Sequence, residues 1–117
     1  MSFPRRGELY WLNFDPSTGA EMKALHPCVV IQNDVGNKHS NLTIVAAITS
    51  NLRVARLPVV VAVPAGTGGL SRESVVHCGH IYTIDKTRLG DLIGQMPPEL
   101  MANIDLALTQ SLGLPTF

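Results

Sequence analysis

The chain has no excess of either charge, its nine Lys and Arg being balanced by nine Asp and Glu. That balance excludes the strongly basic footprint that drives indiscriminate nucleic-acid binding, so any polyanion has to be gripped locally. Cysteine is scarce as well. Cys28 and Cys78 sit in apolar strand-like runs, without the close spacing of a zinc knuckle or a redox pair. They read as small buried thiols suited to a reducing cytoplasm. No uninterrupted apolar run approaches the ~20 residues of a membrane span, and the opening MSFPRRGELYW lacks the apolar core of a signal peptide. A soluble cytoplasmic protein with no membrane partner is expected. Repeats, linkers and low-complexity segments are also missing.

What is present fits one compact domain over residues 1–117, 45% hydrophobic and 15% charged. From Gly7 to Phe14, Leu9, Trp11 and Asn13 alternate with Glu8, Tyr10, Leu12 and Phe14, so both faces of this strand are partly apolar, as in a curled barrel. Trp11 and Phe14 are expected in the core or at a dimer contact. After the breaker DPSTG, the β-branched run in PCVVIQ predicts a second strand, and NDVGNKHSN reads as turn formers that close it. Leu42 to Thr49 and Pro58 to Val63 predict two buried strands, joined by a loop that carries Arg53 and Arg56. Ser74 to Ile84 predicts a longer strand, with Gly79 at its middle permitting a bulge or a close backbone approach. A further extended piece runs through Gln95. Beyond Pro97 and Pro98 the period changes, and Leu100, Met101, Ile104, Leu108 and Leu112 recur at helical steps until Gly113 and Pro115 end the helix. A small, strongly bent antiparallel sheet closed by one terminal helix is predicted.

Within GAEMKALHPCVVIQND, a glutamate, a lysine and a histidine precede an apolar strand. His26, beside Pro27, is either a working acid or base or a polar residue at a turn. Asp34, Thr83 and Asp85 are expected to fasten loops. His77 and His80, flanking Cys78, tempt a metal reading, but a period of two sends them to opposite faces unless Gly79 bulges, and further ligands would still be needed. No metal is expected.

The segments RGELYWLNFDPSTGAE, HPCVVIQND, AAIT, GLSRESVV, IYTIDKTRL and IDLALTQSLGL, taken in order, resemble the MazF/PemK family of toxin endoribonucleases from about Arg6 to Leu114. The resemblance implies a mainly β (α+β) fold, an SH3-like barrel of the CcdB/PemK type with a C-terminal helix. It also implies a homodimer, cleavage of single-stranded RNA at selected sequences without metal or other cofactor, and an antitoxin protein that blocks the RNA groove with a disordered tail. Gly19, Glu21 and Pro27 match the family's first motif, Ala20 keeps its small position, Met22 replaces a Gln, and His26 stands where the family usually has its catalytic Arg. Thr49 matches the active-site Thr or Ser. In the fifth strand Gly79, His80 and Tyr82 replace an acidic residue, a Gln and an Arg.

Metal-free RNA cleavage with the ribose 2′-hydroxyl as nucleophile needs a base, an acid for the leaving 5′-oxygen and donors for the phosphorane charge. Glu21, His26 and Thr49 are the expected catalytic set: Glu21 to accept the proton or orient His26, His26 to shuttle protons or bind phosphate, Thr49 to donate to a phosphate oxygen. Lys23, Arg53, Arg56, His80 and Tyr82 are the candidate RNA-binding residues, against the plainer alternatives of solvated loop cations and sheet packing. An imidazole in place of a permanently charged, forked guanidinium keeps a rival reading open, a catalytically impaired module that only binds an antitoxin. Topoisomerase inhibition, as in the CcdB branch, has fold analogy alone behind it.

Overall fold

The computed structural model describes residues 2–14, 25–56 and 58–115, without the side chains of Val54 and Arg56. Six antiparallel strands follow the order β4-β5-β3-β2-β1-β6, where β1 is Glu8–Asn13, β2 Leu25–Val30, β3 Leu42–Thr49, β4 Val60–Val63, β5 Ser74–Asp85 and β6 Leu89–Gln95. The expected curled sheet with a terminal helix is therefore present. Helix α2, Pro98–Leu112, starts with Pro98 in its first turn, where a missing N–H costs nothing. It stops at Gly113, which adopts a left-handed φ of 67° while Leu114 N–H bonds back to Thr109 O at 2.9 Å.

Alternation along the strands splits the apolar residues into two clusters, one on each face. Leu9, Val29, Ala46, Ile48, Val76 and Cys78 pack with Ile104, Ala107 and Leu108 of α2. Leu12, Phe14, Cys28, Val30, Val45, Ala47 and Ile84 form the second cluster, joined by Tyr10 and Tyr82. Each fully buried aliphatic side chain contributes about 1.5–3 kcal/mol relative to exposure. The sheet bends until the 3-10 turn Thr67–Gly69, which follows β4, meets β6 at the other edge. This closure brings main chain against main chain: a Cβ on Gly69 would lie 2.5 Å from Ile93 O, and one on Gly94 would strike Gly68 O. Only glycine allows such an approach.

The segment read as turn formers after β2 contains a short helix, α1, Asp34–His39. Asn33 caps it by accepting from Gly36 N at 2.8 Å, and Asn37, fully buried, accepts from Thr43 Oγ1 at 2.7 Å while donating to Gln32 O at 2.9 Å. The turn-forming residues are thus cap and plug of a single helical turn and a half, too short for an apolar period to betray it. Asp34 accepts from Arg6 N at 2.7 Å and Asp85 from Thr87 N at 2.9 Å, so both fasten loops as expected.

Trp11 does not join the core. It is 38% exposed, because it lies on the α2 face of β1 but beyond the reach of the helix cluster, whereas Phe14 is 4% exposed and buried on the other face.

Candidate active site

The β2–β3 ladder pairs Val30 with Val45, Val29 with Ala46 and Cys28 with Ala47. Carried two residues further in the same register, it sets His26 opposite Thr49. Both then project on the face away from α2, because side chains two apart share a face. Both are half-buried. Phe14 holds the imidazole from one side, edge-on with ring centroids 6.3 Å apart, and also packs edge-on against Tyr82 at 5.1 Å. His26 is therefore seated by an aromatic row rather than loose at a turn.

Thr49 Oγ1 accepts a hydrogen bond from Asn51 N at 3.1 Å. Its hydroxyl proton stays available for a second partner, such as a phosphate oxygen. The strand-end role and the catalytic role are thus compatible in one side chain.

Glu21 and Lys23 lie outside the described residues, as does the side chain of Arg56. Arg53 is exposed on the 3-10 turn Leu52–Arg56, its backbone N bonded to Asn51 Oδ1 at 3.2 Å.

In β5 the register jumps, Ala47 facing His77 while Ala46 faces Ile81, so Cys78, Gly79 and His80 form a wide bulge. This bulge overrides the period-two expectation and brings the rings of His77 and His80 together, stacked at 3.9 Å and 5°. Nδ1 of His77 accepts from Gly79 N at 3.1 Å, and a Cβ on Gly79 would press on that ring at 3.0 Å. Parallel stacked imidazoles aim their lone pairs side by side rather than at one point, and no cluster of three or more His, Cys, Asp or Glu exists among the described residues. His80 is exposed with one ring face covered by His77, and Tyr82 is half-buried against Phe14. His77 faces Ala47, hence the same side of the sheet as Cys28 and, by register, His26 and Thr49.

A cavity of about 280 Å³ opens at the rim of this site, lined by Trp11, Leu25, His26, Pro27, Ser50, Leu70, Ser71, Arg72 and Ile93 among others. Of these, Trp11, Ser50 and Arg72 are not among the site candidates read from the sequence. Their sequence signals, the strand GELYWLNF, the serine after AAIT and the run GLSRESVV, mark the fold and carry no chemistry of their own. Both cysteines are buried, and burial raises their thiols, Cys28 to about 12 and Cys78 to about 11, so neither is a poised nucleophile.

A bent six-stranded antiparallel sheet closed by one C-terminal helix, with a half-buried His–Thr pair at a strand mouth, is a mainly β architecture shared with small bacterial toxins. Residues 5–112 match the family described as PemK-like, MazF-like toxin of type II toxin-antitoxin system, and the chain belongs to that family. It is 42% identical over 113 residues to endoribonuclease EndoA of Bacillus subtilis (strain 168), covering 97% of each chain. Among solved structures it resembles MazF (Form-I) from Deinococcus radiodurans, with TM-score 0.81, 27% identity, and coverage of 97% of this chain and 100% of that one. It is also similar to an endoribonuclease in complex with its cognate antitoxin from a mycobacterial species, with TM-score 0.81, 26% identity, and coverage of 97% and 99%. No helix among the described residues is long and apolar enough to cross a membrane.

Proposed function

We propose that this protein is a metal-independent endoribonuclease toxin that cuts single-stranded RNA at selected sequences in the cytoplasm and is held in check by an antitoxin protein. The ribose 2′-oxygen attacks the adjacent phosphorus while its proton passes to a base, and the P–O5′ bond breaks as an acid protonates the leaving oxygen. The products are a cyclic phosphate and a 5′-hydroxyl. The observation that carries this reading is the strand register that directs His26 and Thr49 to one face, with Phe14 steadying the imidazole. Thr49 donates to a phosphate oxygen, His26 handles a proton or the phosphate charge, and Glu21 is the remaining base or orienting group. Arg53, Arg56, Lys23, His80 and Tyr82 contact the flanking RNA. A homodimer belongs to the same reading. It is supported by the free edge of β4, beside which Leu106 of α2, 55% exposed, borders an open groove.

The test is incubation with mixed-sequence RNA in EDTA, followed by mapping of the ends. Cuts bearing cyclic phosphate, lost in Glu21→Ala and Thr49→Ala, are expected. His26→Arg is expected to retain or raise the rate, and the wild-type rate to depend on pH more steeply than that of His26→Arg. A flat profile together with a fully active His26→Ala removes His26 from the mechanism. Undamaged RNA alongside tight antitoxin binding would instead favour the impaired, antitoxin-binding module that the histidine-for-arginine exchange suggests.

A further inference from the structure

The cavity beside His26 has a composition that the cleavage chemistry does not require. Trp11 sits opposite Pro27 in the β1–β2 ladder, and its large apolar ring is left partly open to solvent instead of being sealed into the core. Below it, Leu70 is 5% exposed and Ile93 half-buried, giving the cavity an apolar floor. Ser50, Ser71 and Arg72 add hydroxyls and one cation, and no hydrogen bond or ion pair to another described residue occupies the Arg72 guanidinium.

We propose that this cavity seats one unpaired nucleobase of the RNA next to the scissile linkage, stacked on Trp11, with Arg72 taking the adjoining phosphate; the proposal rests on the endoribonuclease reading above. A base needs a flat apolar face and an apolar floor, with a few hydroxyls for its polar edge, and single-stranded RNA is recognised by that combination. A volume of about 280 Å³ suits a single ring system rather than a long chain. Continuity supports the same occupant. His26 lies at the cavity rim, and Ser50 directly follows Thr49, so consecutive residues of one strand end serve the phosphate on one face and the base on the other. The cation completes the match. Arg72 carries a permanent, forked charge in the same cavity as the His26 imidazole.

Trp11 is the only tryptophan, so its emission reports the cavity directly. The full-length protein is titrated with an RNA oligonucleotide methylated at every 2′-oxygen, which cannot be cut, across a range of salt concentrations. Quenching of Trp11 is expected. Arg72→Ala is expected to weaken binding about tenfold and to lower the slope of log affinity against log salt by about one, while Arg72→Lys keeps the slope. In end mapping, Trp11→Ala is expected to relax the preference at one position beside the cut and Trp11→Phe to restore it; should Trp11→Ala fail to fold, Trp11→Phe emission controls and Arg72→Ala carry the test. Wild-type cleavage with an unchanged cut sequence in Trp11→Ala, an unchanged salt slope in Arg72→Ala, or emission that answers to antitoxin and not to RNA each overturns the base seat. A wild type that cuts no RNA in EDTA sinks the endoribonuclease reading instead, and oligonucleotide quenching of Trp11 still decides the cavity.

Discussion

The two faces of the sheet are built from the same six strands and do different work. On one, α2 lays Ile104, Ala107 and Leu108 over Leu9, Val29, Ala46, Ile48 and Val76, a wholly apolar interior. On the other, the apolar cluster is smaller and polar side chains border it: Tyr10 donates from its hydroxyl to Glu8 Oε1 at 2.9 Å, the Phe14 ring meets His26 and Tyr82, and His77 stacks on His80. Burial first, and then the Glu8 carboxylate, push the Tyr10 hydroxyl up to about 12, which keeps it a neutral donor at any physiological pH. The helix-covered face contributes stability, and this leaves the second face free to carry half-buried ionisable groups. The proposed catalytic pair falls on that second face, where the fold can tolerate imperfect packing, and the proposed base seat lies at the end of the first face that the helix leaves uncovered.

The largest expected effect separates those roles. Ile104→Ala, at a fully buried position on the helix face, is expected to cost about 2–5 kcal/mol of stability by transfer and cavity terms, measured by denaturant unfolding. Its specific activity per folded molecule is expected to hold. Thr49→Ala, half-buried at a strand end, is expected to leave the unfolding midpoint within the usual surface range of about 0.5 kcal/mol and to lower cleavage about 10²-fold or more, as loss of a charge-stabilising donor does. If Ile104→Ala abolished turnover in the folded fraction, or Thr49→Ala unfolded the chain, the division between the faces would be wrong.

Much of this division is legible in the sequence, and where legibility stops has a physical cause. GELYWLNF announces a strand apolar on both sides, LTIVAAIT gives β3 to the residue, and the stripe from Leu100 to Leu112 gives α2, because periodic burial leaves periodic apolarity. The β5 bulge was foreshadowed by Gly79, but its three-residue width was not, so the stacking of His77 on His80 was hidden. Helix α1 is held by Asn33, Asp34 and Asn37, whose side-chain bonds to backbone and to Thr43 replace an apolar face; such residues read equally well as turns. The proposed site residues His26 and Thr49 stand at motif positions that the sequence itself displays. The cavity residues Trp11 and Arg72 do not, because a tryptophan in an apolar strand signals core by default and an arginine between a serine and a glutamate signals solvent. Only the bend that carries Gly69 and Leu70 over to β6 turns them toward one cavity.

The bend at Gly69 and Gly94 offers a second way to separate the two faces. Gly94 on β6 faces the carbonyl of Gly68, so Gly94→Ala sets a methyl group against main chain that has no rotamer to yield. A loss of about 1–3 kcal/mol is expected from overpacking. Because the displaced turn runs into Leu70 and Ser71, Trp11 emission is expected to shift in the folded protein, while the edge-on contact of His26 with Phe14 keeps its near-native geometry. An alanine variant as stable as wild type, with unaltered emission, would mean that the sheet is not closed by this contact.

The smallest effect concerns the strap that joins both faces at their far end. Arg6 donates from its backbone N–H to Asp34 and from Nη2 to Asp105 of α2 at 2.6 Å, while Asp34 also receives Asn37 Nδ2 at 3.2 Å, the residue that plugs the second face through Thr43. The Arg6 N–H bond, foremost, holds the Asp34 carboxyl below its ordinary value. A native carboxyl that is more acidic than the unfolded one favours folding above the unfolded pKa, about 3.9 for aspartate, and this contribution fades as pH falls through the native value. Asp34→Asn keeps an acceptor oxygen without the charge. Its melting temperature is therefore expected to lie slightly below wild type at neutral pH, and the gap to close as acidification carries both proteins below the native Asp34 value. Asp85, whose carboxyl is held low by Thr87 N–H, is unchanged in both proteins, so the difference curve isolates Asp34. A gap of constant size down to acid pH would assign the loss to altered packing of α1 and detach Asp34 from the charge balance of the strap.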